Sequence, residues 1–158
     1  MLNEMTDIYT KKKRSEIMRK IGPKNSKQEL FIRKLVSSLG YKFCLHVNDL
    51  PGKPDIVFPR HKRVIFINGC FWHGHSRCTR AKLPKTNRKF WASKIAGNMR
   101  NDRKIYRKLK VLGWKYLILW QCDIKMSTNN RLKDRIKRLL TRNKHNGGTR
   151  DRTQINEK

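Results

Sequence analysis

Acidic side chains are scarce in this sequence, which has 11 Asp and Glu against 40 Lys and Arg and a formal net charge of +29 over 158 residues. An excess of this size opposes compaction by self-repulsion and attracts polyanions. Nucleic acid, bound largely through salt-sensitive phosphate contacts, is the partner that the charge favours. Charge alone does not separate an enzyme from a protein that only coats nucleic acid. No basic amphipathic anchor stands out, which argues against an anionic membrane surface.

Long apolar runs are also missing. None approaches the ~18 residues of a membrane span, and the opening stretch MLNEMTDIYTKKKR lacks the apolar core of a signal peptide. We therefore expect a cytoplasmic, nucleoid-associated protein with no membrane partner. Its four cysteines would then be metal ligands or buried thiols before they would be disulfides. Cys44 lies in a candidate strand and is expected to be a core thiol.

The length fits one domain with a single core. Residues 1–24 are expected to form a basic arm with a short helix, residues 25–142 the folded domain, and residues 143–158 a disordered basic tail. The hydrophobic pattern predicts helices over 26–39, 87–112 and 128–140, and strands over 41–47, 55–58, 63–68 and 115–120. The order α-β-β-β-α-β-α indicates an α/β fold, with a mixed sheet flanked by helices.

Two cysteines and two histidines are concentrated in residues 68–78, NGCFWHGHSRC. A candidate set of metal ligands adds a cysteine that follows the last predicted strand: Cys70, His75, Cys78 and Cys122. Since neighbouring strands of one sheet bring their ends together, the set predicts a closed, tetrahedral, structural zinc site. Spacing alone does not separate His73 from His75 as the ligand. The alternative is ordinary thiols and surface histidines.

Only two acids, Asp55 and Asp102, lie between Leu50 and Cys122. Asp55 opens a strand after the turn LPGKP, where a carboxylate can hold Mg²⁺. A turn aspartate that caps local amides is the commoner use of such a sequence. Asp102 lies about 20° from Trp91 around its helix, on the apolar face. Its burial requires a partner, either a cationic side chain or a histidine ring.

Three further residues each have two possible roles, one structural and one functional. Glu29 completes a capping box with Ser26, and it also lies at the edge of its helix's apolar face, within reach of a metal site. Phe71 and Trp72 lie among the zinc-ligand candidates. A rigid loop could push these rings between base pairs, whereas in an ordinary loop they would pack in the core.

Four segments, LPGKPDIVF, VIFINGCFWHGH, KFWASKIAGNMRNDR and LGWKYLILWQC, resemble the very short patch repair (Vsr) endonucleases over residues 10–125. Members of that family nick DNA 5′ to the thymine of T:G mismatches that arise from 5-methylcytosine deamination. The resemblance implies a restriction-endonuclease-like fold, an endonuclease domain over residues 25–142, catalytic Mg²⁺ and structural Zn²⁺. Mismatched double-stranded DNA would be the partner of a monomer, and mismatch-repair proteins are a further expected partner.

The resemblance also assigns roles to individual residues. For catalysis these are Asp55 and the Ile67 carbonyl on Mg²⁺, His73 with its partner Asp102, and Glu29 near water on the metal. For zinc they are Cys70, His75, Cys78 and Cys122. For DNA they are Phe71, Trp72 and Trp91 as a wedge, and Met18 and Ile21 in the minor groove.

The sequence departs from the family pattern at three places. Asn68 stands where the best-known members have a second histidine, which puts a role in leaving-group protonation in doubt. The segment between His75 and Cys78 is one residue longer than in those members. FIN replaces the Glu-x-Lys half of the broader restriction-nuclease pattern, as expected where histidine takes over part of that chemistry.

Overall fold

The computed structural model describes residues 26–141, so the predicted arm, including Met18 and Ile21, and the predicted tail lie outside the described residues. The helices are α1 (Lys27–Ser38), α2 (Arg88–Val111), α3 (Gln121–Met126) and α4 (Asn129–Thr141). The strands are β1 (Ile56–Phe58), β2 (Arg63–Asn68) and β3 (Lys115–Trp120). In this part of the chain, no helix combines the length and the apolar character needed to cross a membrane.

The capping box predicted for α1 is confirmed. The Ser26 hydroxyl accepts the Glu29 backbone N–H at 3.3 Å and donates to the Glu29 carboxylate at 2.9 Å. These bonds satisfy groups that the first helical turn leaves without intrahelical partners. Beyond the other end of α1, Gly40 has φ +77°, a conformation that glycine adopts at little cost.

The sheet is mixed, as predicted. β1 is antiparallel to β2, with Ile56 opposite Ile65, and β2 is parallel to β3, with Val64 opposite Tyr116. The order is β1-β2-β3, so β3 is an edge strand among the described residues. The parallel pair requires a crossover, and α2 provides it.

The predicted strand over 41–47 is wrong, because the structure has only a single bridge there, between Cys44 and Val57. The prediction of a buried Cys44 thiol is also wrong, since this residue is exposed. The segment alternates as a strand does: Phe43 and Leu45 pack against the core, and Cys44 therefore points outward. The bridge extends no further because β1 has only three residues.

Alternation along β2 divides the interior into two apolar layers. Ile65 packs in the layer formed with α1 and α4, which includes Ile32 and Ile136. Val64 and Phe66 pack on the opposite face, beneath α2. The two layers hold the carboxyl ends of β2 and β3 side by side, and the loops that follow those ends carry the candidate site.

Candidate active site and metal centre

Four predicted zinc ligands form one cluster. The ligand atoms of Cys70, His75, Cys78 and Cys122 all lie within 4.8 Å of one another. A tetrahedral zinc ion with Zn–S bonds of about 2.3 Å would place its ligand atoms roughly 3.8 Å apart, so the donor set fits zinc in type and spacing. His75 Nδ1 lies 3.2 Å from the Cys122 sulfur. Among the described residues, no other group of three or more metal-binding side chains is as close.

Sheet register explains why residues so distant in sequence meet. Asn68 at the end of β2 lies opposite Trp120 at the end of β3. Cys70 and Cys122 each follow two residues later and therefore start from the same edge. The His75 ring stacks on Trp120, with centroids 4.1 Å apart and planes 7° apart. Of the two histidines that spacing left open, the structure brings His75 to the cluster and His73 to another partner.

Crowding of the thiols disfavours negative charge in the cluster. Desolvation, together with hydrogen bonds and charge repulsion from Cys70 and Cys78, raises the pKa of the Cys122 thiol to about 12. At Cys78 desolvation is outweighed by hydrogen bonds, which lower the pKa of that thiol. Thiols bind zinc as thiolates, so a bound ion would stabilise the charged form that desolvation disfavours at Cys122. Soft sulfur donors and one imidazole are the ligands of structural zinc sites.

The partner of the inward-facing Asp102 is a histidine. Asp102 Oδ2 lies 2.7 Å from His73 Nδ1, and their side chains are 17% and 30% exposed. A carboxylate on one ring nitrogen fixes the tautomer and orientation of the ring and leaves the second nitrogen for chemistry. The loop that carries His73 packs closely on α2 at the next residue, since Gly74 has φ +58° and a Cβ there would lie 2.6 Å from the Met99 sulfur.

The side chain of Asp55 accepts a hydrogen bond from β2 that a backbone carbonyl of a neighbouring strand would otherwise accept. Its backbone N–H donates to the Ile65 carbonyl at 3.1 Å, and its Oδ2 accepts the Ile67 N–H at 2.7 Å. In a ladder the N–H and C=O of one residue point to the same side. The Ile67 carbonyl therefore points to the side where the Asp55 carboxylate lies. Desolvation raises the pKa of Asp55 to about 6, and the nearby charge of Glu29 adds to the increase.

A cavity of about 240 Å³ contains both predicted carboxylates, Asp55 and Glu29. Glu29 is only 8% exposed, and its Oε2 lies 3.1 Å from Arg33 Nη2. His46 and Lys53 also line the cavity. Both have positive φ, of 56° and 48°, which is uncommon for residues other than glycine. The sequence analysis did not identify the basic residues of this cavity, Arg33, His46 and Lys53. Of these, only Arg33 could have been found from the sequence, because it lies four positions after Glu29 on a predicted helix.

The aromatic residues form one cluster at the start of α2. Phe71 lies 5.2 Å from Trp72 and 5.5 Å from Trp91, centroid to centroid, and the two tryptophans are 5.8 Å apart. Trp72 is 37% exposed and Phe90, which contacts Trp91, is 59% exposed. The rings therefore contact one another and leave part of their surface exposed to solvent.

Asn68 has a partner that the sequence did not reveal. Its Nδ2 donates to the Tyr106 hydroxyl at 3.2 Å, and the side chain is buried. Tyr106 stacks on Tyr116, and desolvation raises the pKa of Tyr106. Tyr106 comes one helical turn after Asp102, so the face of α2 that carries the acid also carries this phenol.

Comparison with known proteins gives consistent results. A family model described as DNA mismatch endonuclease Vsr matches residues 6–80. The type II nicking enzyme V.XorIIP of Xanthomonas oryzae pv. oryzae is 42% identical over 76% of this chain and 88% of that protein. V.NmeAIP of Neisseria meningitidis serogroup A is 42% identical over 77% and 86%. The DNA mismatch endonuclease Vsr of Escherichia coli K12 is 38% identical over 77% of each chain. The chain therefore belongs to the Vsr family of DNA mismatch endonucleases.

Proposed function

We propose that this protein hydrolyses the phosphodiester 5′ to the thymine of T:G mismatches, and so starts the repair of deaminated 5-methylcytosine. The observation that carries the proposal is the 2.7 Å contact between His73 and Asp102. It supplies an oriented imidazole at the carboxyl edge of β2, the edge where Asp55 meets Ile67. Family membership supports the mismatch as substrate. A restriction-endonuclease-like core is part of the proposal.

His73 is proposed to accept the proton of the attacking water, because Asp102 holds its other ring nitrogen. Glu29 would orient that water from across the cavity. Asp55 and the Ile67 carbonyl are oxygen donors of the kind that Mg²⁺ prefers. When bound there, Mg²⁺ would polarise the phosphate and stabilise the leaving 3′-oxygen. The products would be a 3′-hydroxyl and a 5′-phosphate on the thymine.

Zinc is proposed to have a structural role at the four-residue cluster. The loop that it would close carries Phe71, Trp72 and His73, so one ion would fix the wedge and the base together. The excess of cations would bind the DNA backbone through phosphate contacts. The exposed rings of the aromatic cluster would contact the base pairs at the mismatch, where stacking is weaker. Met18 and Ile21 would enter the minor groove from the arm.

A nicking assay tests the reaction. Strand-labelled duplexes would carry T:G with randomised flanks, beside T:A controls, in Mg²⁺ or in EDTA. We expect Mg²⁺-dependent nicks only 5′ to the thymine of T:G, with His73→Ala slower by about 10²–10⁴-fold, the usual contribution of a general base. His61→Ala, at an exposed histidine outside the site, should keep full activity. Binding without nicking would indicate a non-catalytic zinc module, and cleavage of both strands at T:A sites a restriction-type enzyme.

A second experiment tests the wedge. Trp72→Ala should weaken binding to a T:G duplex by about 5- to 150-fold, since stacking of an aromatic ring on a base contributes roughly 1–3 kcal/mol. Binding to the matched T:A duplex should change little. Phe90→Ala removes a more exposed ring at the edge of the same cluster and is the control. Equal losses on both duplexes would contradict a role in mismatch recognition.

A further inference from the structure

A groove of about 530 Å³ lies at the opposite end of the sheet from the candidate site. It is bounded by the end of α2, the start of β3 and one side of α4. Its polar rim includes four cations, and its apolar floor includes two large side chains: Lys110, Lys115, Arg135, Arg138, Trp114 and Leu139. Arg135 is already paired with Asp123, at 2.9 Å. Among residues 26–141 no acidic side chain lines the groove, so it combines positive charge with apolar surface.

The outer edge of β3 lies along this groove. The Lys115 N–H donates to the Lys62 carbonyl, toward β2. Alternate residues of a strand point their main-chain groups to opposite sides, so those of Tyr116 and Ile118 point outward. Arg135 Nη2 donates to the Ile118 carbonyl at 3.1 Å. Within residues 26–141, no strand lies on this side of β3, and the main chain of Tyr116 faces the groove.

We propose that the groove is a docking site for a short acidic segment of a partner protein, which adds to β3 as an extended strand. Main-chain hydrogen bonds to Tyr116 would supply affinity, as in other cases of strand addition. Because successive side chains of a strand point to opposite faces of the sheet, alternate carboxylates would meet Arg138 on the face toward α4. The intervening apolar side chains would cover Trp114, which packs on the face toward α2.

The chemistry of the groove favours this occupant over the alternatives. A nucleic-acid backbone would neutralise the cations, but it would leave the apolar floor and the strand edge without partners. A second copy of the chain is disfavoured by its net charge of +29, because two such surfaces repel each other. An acidic peptide with apolar side chains complements the positive charge at Arg138, the apolar floor and the strand edge together.

The test measures binding of a fluorescent peptide, Leu-Glu-Val-Asp-Leu-Glu, to the full chain by anisotropy at physiological ionic strength. A peptide of the same composition, with its acids and apolar residues in separate blocks, is the first control. We expect the alternating peptide to bind and Arg138→Glu to weaken it by at least about tenfold, the typical loss when a charge-assisted hydrogen bond is broken. Lys137→Glu makes the same charge change on an exposed neighbour outside the groove, and should weaken binding by less than about twofold by charge alone.

Each contrary outcome overturns the proposal. Equal binding of the two peptides would indicate general attraction to a cationic surface. Equal losses in Arg138→Glu and Lys137→Glu would place the peptide elsewhere. A single-stranded oligonucleotide that displaces the peptide and loses affinity in Arg138→Glu alone would make the groove a nucleic-acid site. Much tighter peptide binding after deletion of residues 1–9, which hold two acids and no cation, would identify the chain's own segment as the occupant. Nicking should be unchanged in both variants, so this test is independent of the proposed reaction.

Discussion

Replacing Asp55 with asparagine is expected to abolish nicking and, at the same time, to stabilise the fold at neutral pH. The carboxylate is desolvated, and its pKa is raised from 3.8 to about 6. Asparagine keeps an oxygen that can accept the Ile67 N–H now bonded at 2.7 Å, while it removes the charge. A divalent ion would lose its anionic ligand. Activity should therefore fall below detection in an enzyme that folds better than the wild type.

The direction of the pH dependence follows from the raised pKa. Between pH 3.8 and about 6 the folded state retains a proton on Asp55 that the unfolded chain has released. The free energy of unfolding therefore decreases as pH rises through this window and levels off above it. The expected cost at neutral pH is roughly 3 kcal/mol at most. The advantage of Asp55→Asn should appear as pH rises from 4, and reach its full size above about 6.

Urea unfolding of both proteins across this pH range, in buffer without Mg²⁺ and without a chelator, measures the effect. Asp134→Asn changes an acid on the exposed side of α4 and serves as the control; it should keep nicking and show no such pH-dependent gain. Lower stability of Asp55→Asn at pH 7 would show that the carboxylate holds the fold together rather than straining it. Retained nicking would remove Asp55 from the proposed mechanism.

Much of the fold follows from local sequence signals. The capping box and Gly40 limit α1 to within one residue of the prediction, and β2 and β3 have the predicted bounds because each is a short apolar run between polar turns. The prediction of a strand over residues 41–47 was wrong because a strand needs a partner of matching length, and β1 is short. α3 was missed because its six residues have too little periodicity to distinguish it from a loop.

Parts of the candidate site could also be predicted from the sequence. Helical geometry was enough to predict that Asp102 faces inward, and the pairing of neighbouring strands was enough to predict that Cys122 lies near Cys70. His73 contacts Asp102 on α2, whereas His75 stacks on Trp120 at the end of β3. This difference depends on how the loop folds, which the spacing of residues in the sequence does not predict. The position of Lys53 at the cavity likewise depends on a backbone conformation that residue type does not specify.

Loss of the metal cluster is expected to have the largest effect on stability. Among the described residues, Cys122 is the one member of the cluster that lies after β3 rather than in the loop after β2, and Cys122→Ser removes it. We expect the metal to be lost and the unfolding free energy to fall by at least about 3 kcal/mol, which is roughly 10 °C in Tm for a domain of this size. The measurements are metal content by mass spectrometry and thermal unfolding, with and without a chelator. Cys44→Ser, at an exposed thiol outside the cluster, is the matched control and should change neither.

The two proposed metal sites should also fail in different ways. The loop that the proposed zinc ion would close carries Trp72 and His73, so chelated protein should lose both mismatch binding and nicking. Zn²⁺ but not Mg²⁺ should restore binding, and nicking should return only when both ions are added. Asp55→Asn should lose nicking alone, because the wedge and the cationic surface remain in place. If Cys122→Ser kept its metal and its Tm, the cluster would not be a structural site. If Mg²⁺ alone restored the chelated protein, the division of roles between the two sites would be wrong.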